Sequence, residues 1–182
     1  MKKYKLTDET TDVLGITLHR VKALKDFDDV KKGELGGYVK SERNLSQAGN
    51  CWVYGNAKVC DNAKVCDNAC VYGNAWVCGN ACVYGNAKVY GNAKVYDNAK
   101  VCGDAMICSD TDYMSIKGLG SEYRSTTIFR TKGKNIAVRC GCFYGTLTEF
   151  VDRVKEAHGN SKYAKEYLAL VDLVKIHFES EE

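Results

Sequence analysis

The chain has 182 residues, of which 45% are hydrophobic and 27% charged, and its formal net charge is +3 at pH 7. These values are typical of one soluble domain with small attachments, and such a mild charge gives no support for a nucleic-acid partner. No apolar run is long enough to span a membrane, and MKKYKLTDETTD contains no apolar signal-peptide core, so we expect a cytoplasmic protein.

The first 46 residues are expected to form an N-terminal β cap. KKYKL and ITLHRVKAL predict two short strands around a polar TDETTDV turn, and the glycine-rich GELGGYVKSERNLSQAGN leads into the next segment. His19 alternates with Thr17 and Val21 on the second strand. We therefore interpret His19 as an ordinary strand residue and not as a catalytic base.

Residues 47–112 carry a hexad repeat. From Val53 to Asp112 the pattern [V/I]-x-[G/D/S]-[N/D]-[A/T]-x occurs ten times in register, with Val at the first position of nine hexads and Ile107 at that of the tenth. Its alanines and valines are alternately two and four residues apart, a spacing that would scatter them around a helix but places them on one face of a strand. Each hexad therefore predicts one short strand and one corner, and glycine and asparagine are expected to take the positive φ at the corner.

This hexad resembles the repeat of left-handed parallel β-helices, in which three hexads close one triangular coil. The resemblance implies a mainly β fold in which residues 18 apart stack on one another, about 4.8 Å apart along the axis. It also implies that both open ends of the stack need capping segments.

One outer face of the predicted coils is more aromatic than the others. It carries Trp52, Cys70, Lys88 and Met106 beside Tyr54, Tyr72, Tyr90 and Cys108. An apolar stripe of this length is expected to be covered by the C-terminal helices, by a second subunit or by a partner protein. We predict a homo-oligomer, dimer or trimer, whose interface contains Trp52, Tyr54, Tyr72, Tyr90, Met106, Phe143 and Tyr167.

Ten cysteines occur, seven of them in the repeat at positions where other hexads have Tyr, Lys or Trp. This exchange indicates ordinary surface thiols. The cysteines closest in sequence, Cys66/Cys70, Cys78/Cys82 and Cys140/Cys142, have no histidine partner in the repeat and lack the spacing of a zinc finger. We therefore predict neither a metal site nor a cofactor.

Residues 113–182 predict a β-hairpin and two helices. The hairpin strands are Thr126–Thr131 and Ile136–Cys142, joined by KGKN. Thr146 and Glu149 form a capping box that opens a helix ending near Ala157. A second helix is expected over residues 161–178, with one apolar stripe formed by Tyr163, Tyr167, Leu170, Leu173, Val174 and Phe178.

Polar side chains concentrate in the stretch from Gly118 to Arg139. Hydroxyl groups and guanidinium forks bind phosphate or carboxylate, and tyrosine stacks on a base. The alternative interpretation is a solvated hairpin surface. The candidate ligand-binding residues are Ser121, Tyr123, Arg124, Ser125, Thr126, Thr127, Arg130 and Arg139, supported by Lys132 and Lys134 nearby.

ALKDFDDVKKGELGGYV, the GNA repeats and GCFYGTLTEFVDRVKEAHGNSKYAKEYL together are similar to hexapeptide-repeat proteins encoded by bacteriophages and prophages. Most characterised proteins of this fold are acyltransferases that use an acyl-CoA donor and a histidine base from the coil. No histidine lies between His19 and His158, and no insertion interrupts the hexads. We therefore favour non-catalytic binding of a small anionic, nucleotide-like ligand, such as a host-defence signal, or of a host protein; acyltransferase and structural scaffold remain alternatives.

Overall fold

The computed structural model describes residues 2–179. The N-terminal cap begins with an antiparallel hairpin, β1 (Tyr4–Val13) and β2 (Ile16–Ala23), and continues to β3 (Leu35–Val39). The expected turn at TDETTDV is wrong, since β1 runs through it. The chain reverses instead at Leu14 and Gly15, which both have positive φ, 53° and 78°, as a two-residue hairpin turn requires.

The coils follow the predicted period of three hexads. Paired strands are parallel and 18 residues apart, as Trp52 is from Cys70. The coil strands are β4 (Trp52–Val53), β5 (Lys58–Val59), β6 (Lys64–Val65), β7 (Cys70–Val71), β8 (Trp76–Val77), β9 (Cys82–Val83), β10 (Lys88–Val89), β11 (Lys94–Val95), β12 (Lys100–Val101) and β13 (Met106–Ile107). They form three sheets, β4-β7-β10-β13, β6-β9-β12 and β5-β8-β11, and the last continues into β3. The mainly β solenoid is thus confirmed.

The repeated valines and alanines fill the interior of the coils, each at most 1% exposed. At the corners the structure corrects the sequence prediction. Positive φ is taken by the glycine or aspartate, as at Gly55 and Asp61, while the following asparagine is not in this region. The asparagine side chains stack along the axis instead, and Asn62 Nδ2 donates to Asn80 Oδ1 at 3.2 Å.

The N-terminal cap closes the first end of the stack. Strand β3 pairs in parallel with β5, so the solenoid starts upstream of the hexads. Trp52 is fully buried because the rings of Tyr4 and Phe27 meet it edge-on at 6.1 and 5.3 Å. Lys3 is also buried, and its ammonium donates to the carbonyl of Cys51 at 2.8 Å. A surface role for Trp52 is therefore wrong.

The last coil is capped by side chains of the following segment. The amide of Lys94 donates to Asp110 Oδ1 at 2.7 Å, and the amide of Lys100 donates to Thr127 Oγ1 at 2.9 Å. Phe129 is fully buried and belongs to the same core cluster as the coil valines, so it closes the interior. These contacts satisfy the exposed strand edge that a parallel stack leaves at its end.

The C-terminal unit is larger than the predicted hairpin. Its antiparallel sheet contains β14 (Tyr113–Leu119), β15 (Arg124–Arg130), β16 (Ile136–Cys140) and β17 (Phe143–Thr146). The hairpin β15–β16 is confirmed, whereas β14 and β17 were missed. The capping box of Thr146 and Glu149 is confirmed at the start of α1 (Leu147–His158), which is followed by α2 (Lys162–Phe178).

Both helices pack on the C-terminal sheet and not on the tyrosine ladder. The expected stripe of α2 is correct except at Leu173, which is exposed, while Val171 is buried. The ladder rings stack in parallel, with centroids 4.5 Å apart for Tyr54 and Tyr72 and 4.8 Å for Tyr72 and Tyr90. All three rings are half-buried. The expectation that the chain's own helices cover this face is wrong.

Cys60, Cys70, Cys78 and Cys102 are buried, which corrects their interpretation as surface thiols. The reason is that flanking segments cover the coil faces, as Leu18 of β2 covers Cys60 and Cys78. Within residues 2–179, neither helix has the length and apolar character needed to cross a bilayer.

Candidate functional site

A cavity of about 280 Å³ lies in the C-terminal unit, between the turns at one end of the sheet and the two helices. The loop before β15, the β16–β17 turn, α1 and α2 all contribute to its wall. The lining residues are Ser121, Glu122, Arg124, Cys140, Cys142, Phe143, Phe150, Arg153, Val154, Ala157, His158 and Tyr167. This volume corresponds to the lower end of small-molecule sites.

The floor of the cavity is aromatic. Phe150 packs against Phe143 at 5.4 Å and meets Tyr167 edge-on at 5.5 Å between ring centroids. The Tyr167 hydroxyl donates to the carbonyl of Leu119 at 3.3 Å and lies 3.7 Å from Cys140 Sγ. Burial, followed by the hydrogen bond with this thiol, raises the pKa of Tyr167, so the phenol stays neutral.

The rim of the cavity is cationic. Arg124 lies across the β16–β17 turn, where a Cβ on Gly141 would approach its Nη1 to 2.8 Å. Glycine at position 141 therefore makes room for the guanidinium, and it also supplies the turn's positive φ of 58°. Arg153 is the second arginine that lines the cavity, and Glu122 is the acidic lining residue. The two arginines and this glutamate give the wall a formal charge of +1 when His158 is neutral.

Both arginines have acidic neighbours outside the floor. Arg124 lies 4.0 Å from Glu122, and Arg153 lies 2.6 Å from Glu156. All four side chains are at least half exposed, so these ion pairs are screened by solvent and hold the arginines only weakly. An anionic ligand could displace either carboxylate.

His158 is the titratable side chain that the helix brings to the cavity. It ends α1 and stacks on Tyr167, with ring centroids 5.8 Å apart and planes 29° apart. The ring centroid of Tyr163 lies 6.1 Å from that of His158, with the two ring planes tilted by 59°. The ring is half-buried, so it borders the cavity while one edge reaches solvent.

The structure brings only part of the predicted ligand set to this cavity. Ser121 and Arg124 line it. Ser125 lines a second cavity of about 400 Å³, which shares Arg124 with the first and is also lined by the coil residue Lys100. Tyr123 projects from the loop with 64% of its surface exposed and lines neither cavity.

The other predicted residues are used by the fold. Thr126 and Thr127 are buried, and Thr127 caps the last coil. Arg130 contacts Asp112 at 3.4 Å and donates to the carbonyl of Phe178 at 3.0 Å, and thereby holds α2. Arg139 donates to the carbonyl of Cys142 at 3.1 Å, inside the β16–β17 turn. These four side chains do not converge on one ligand because alternate residues of a strand face opposite sides of the sheet.

Sequence reasoning missed the helical wall of the site. Phe150, Arg153, Val154, Ala157 and His158 follow the spacing i, i+3, i+4, i+7, i+8 and therefore share one face of α1. This spacing was available in the sequence, but nothing in it showed that the face would meet β15 and the β16–β17 turn.

The predicted interface residues also fall into two groups, those that are buried within the chain and those that remain on the coil surface. Phe143 and Tyr167 pack inside the C-terminal unit, and Trp52 lies under the N-terminal cap. Tyr54, Tyr72 and Tyr90 remain on the coil surface together with the half-buried Met106. Oligomerisation through the tyrosine ladder stays a prediction.

Comparison with known proteins gives a weak similarity over part of the chain. No family model matches the chain. A 62-residue stretch is 36% identical to a protein of Escherichia coli (strain K12) described as "Uncharacterized acetyltransferase YdcK". The match covers 30% of this chain and 19% of that relative, so the chain spans about a fifth of the relative's length. With the β-solenoid, it indicates a resemblance to transferase-like hexapeptide-repeat proteins, while bacteriophage origin stays a prediction.

Proposed function

We propose that the protein binds a small ligand that has an anionic group and a planar or apolar body, in the cavity of the C-terminal unit. The observation that carries this proposal is the pairing of an aromatic floor with a rim on which Arg124 and Arg153 are exposed. An aromatic ring packs on such a floor, and guanidinium groups bind phosphate or carboxylate through two parallel hydrogen bonds.

The second cavity supports a ligand with more than one anionic group. It shares Arg124 with the first cavity and adds Lys100, together with the side-chain amides of Asn80 and Asn98. A ligand whose two anionic groups both contact Arg124 would extend over the edge of the coil toward Lys100. Among common metabolites, nucleotides and linked nucleotides combine such spaced phosphates with aromatic bases. If the chain is phage-encoded, as its resemblance implies, a host nucleotide signal is one source of this ligand.

The experiment is a thermal-shift screen followed by calorimetry. The panel contains adenine and guanine mononucleotides, cyclic di- and trinucleotides, ADP-ribose and coenzyme A. We expect at least one nucleotide to bind at a stoichiometry of one per chain. Arg124→Gln should weaken this binding about 10- to 100-fold, because a charge-assisted hydrogen bond contributes about 1.5–3 kcal/mol.

The matched control is Arg43→Gln, which removes an exposed arginine of the N-terminal cap and should leave affinity unchanged. Arg153→Gln is the second cavity variant, and circular dichroism verifies that each variant folds. The proposal is overturned if no compound in the panel binds. It is also overturned if a compound binds to Arg124→Gln and to Arg153→Gln as strongly as it binds to the unsubstituted chain. A protein that binds no small molecule would leave the scaffold interpretation.

Acyl transfer is a second candidate, favoured by the described activity of the relative and by the position of His158. A histidine at the edge of a cavity can accept a proton from an attacking amine or hydroxyl, as a general base does. The coils themselves contain no histidine, so a base would have to come from the C-terminal unit. Acetyl-CoA turnover that is lost in His158→Ala and kept in His177→Ala would support this function. His177 is the control because its Nε2 contacts the carbonyl of Thr111, outside the cavity.

A further inference from the structure

Two cysteines are stacked on successive coils. Strands β5 and β8 pair with Val59 opposite Val77, which places the next residues, Cys60 and Cys78, one above the other. Both are reduced thiols, 7% and 9% exposed, and lie under Leu18 of β2. The repeat cysteine Cys66 differs, because the residue 18 positions later is Tyr84.

The carboxylate of Asp61 lies beside the two thiols. Asp61 follows Cys60 and occupies the corner with a φ of +53°. This backbone conformation turns its side chain toward the next coil, where Asp61 Oδ2 accepts a hydrogen bond from the amide of Gly79 at 3.2 Å. One carboxylate oxygen and the two sulfur atoms all lie within 4.8 Å of one another.

These separations suit ligands of one metal ion. Zinc binds sulfur at about 2.3 Å in a tetrahedron, which places two ligand sulfur atoms about 3.8 Å apart. The three donor atoms therefore need to move by only about 1 Å or less to share an ion. Asp61 is exposed at the corner, so an ion can enter from solvent while Leu18 shields the sulfur atoms on the other side.

We propose that Cys60, Cys78 and Asp61 bind a thiophilic divalent cation of the zinc class. Two thiolates select such ions over magnesium or calcium, and three protein ligands leave a fourth position for water. The ion would replace the thiol protons and link two successive coils. This proposal is independent of the ligand cavity, which lies in the C-terminal unit.

The chain contains a second corner of the same construction that lacks one of the two cysteines and therefore serves as a control site. One hexad later, Cys66 precedes Asp67, and Asp67 Oδ2 accepts from the amide of Gly85 at 3.0 Å, as Asp61 does from Gly79. Tyr84 occupies the place that corresponds to Cys78. Substitutions at Cys66 and Asp67 therefore reproduce the chemical change at Cys60 and Asp61 without touching the proposed site.

The full chain is first reduced with a phosphine and freed of metal with a chelator. It is then titrated with Cd²⁺ and, separately, with Co²⁺. We expect one equivalent to bind tightly, with a sulfur-to-cadmium charge-transfer band for two thiolates and a cobalt spectrum of tetrahedral type. Zn²⁺ should displace either ion. Cys78→Ser should abolish the band and Cys66→Ser should not.

Asp61→Gly tests the third ligand without disturbing the corner, because glycine occupies this hexad position in other repeats and adopts the same positive φ. It should weaken Cd²⁺ binding about tenfold or more, whereas Asp67→Gly should not. The proposal is overturned if the unsubstituted chain binds no ion, if Cys78→Ser binds as strongly, or if Asp61→Gly keeps full affinity. Loss of the band in Cys140→Ser or Cys142→Ser, with Cys78→Ser unaffected, would place the ion in the C-terminal unit and equally refute it.

Discussion

Thr127 is expected to hold the open end of the solenoid through one hydrogen bond. Its hydroxyl oxygen, on a side chain 1% exposed, accepts the amide proton of Lys100 at 2.9 Å, on the last strand of its sheet. Thr127→Val keeps the shape of the side chain but replaces this acceptor with a methyl group, which also keeps water from the amide. The expected loss is about 1–3 kcal/mol of unfolding free energy, the penalty for a donor left without a partner.

The control is the neighbouring Thr126, which is equally buried. Its hydroxyl donates to Cys140 Sγ at 3.2 Å, and sulfur is a weak acceptor, so Thr126→Val should cost clearly less than Thr127→Val. Urea unfolding followed by circular dichroism compares the two variants. For a chain of this length each kcal/mol corresponds to about 2–4 °C in melting temperature.

Amide hydrogen exchange distinguishes this hydrogen bond from general packing. Exchange at Lys100 should accelerate in Thr127→Val but not in Thr127→Ser, which keeps the hydroxyl and loses only a methyl group. Equal stabilities of Thr127→Val and Thr126→Val, or unchanged protection of Lys100, would show that the last coil is capped in another way.

The remaining predictions concern buried and titrating groups. Trp52→Ala should lower the free energy of unfolding by about 3–5 kcal/mol. Trp52→Phe should lower it clearly less, because the indole N–H has no acceptor among residues 2–179 and its removal therefore breaks no hydrogen bond. Denaturant unfolding compares the two variants. Hydrogen bonds from Thr146 hold the pKa of Glu149 below its usual value, so the stability that this carboxylate contributes is complete above the usual value and is lost as the pH falls through the lowered pKa. The difference in melting temperature between the unsubstituted chain and Glu149→Gln should therefore shrink in acid. Burial raises the pKa of Cys66 to about 11, so iodoacetamide should label it slowly at pH 8 and faster as the pH rises, whereas the exposed Cys142 should react at once; peptide mass spectrometry measures both.

The period of six residues determined the solenoid, because alternate alanines and valines can be buried together only if each hexad is a strand and a corner. The same period placed Cys60 and Cys78 in one column, because residues 18 apart stack on successive coils. The start of helix α1 could also be predicted from the sequence, because the capping box of Thr146 and Glu149 is a local signal that depends on four consecutive residues.

Only the tertiary structure decided what covers each face and which side chains meet. Local patterns do not encode contacts between distant segments, so Trp52 was assigned to the surface although the N-terminal cap buries it. Thr127 was assigned to a ligand although it caps a coil 27 residues away in sequence. Arg124 and His158 border one cavity because the sheet and α1 fold against each other, and their separate positions in the chain carry no trace of it.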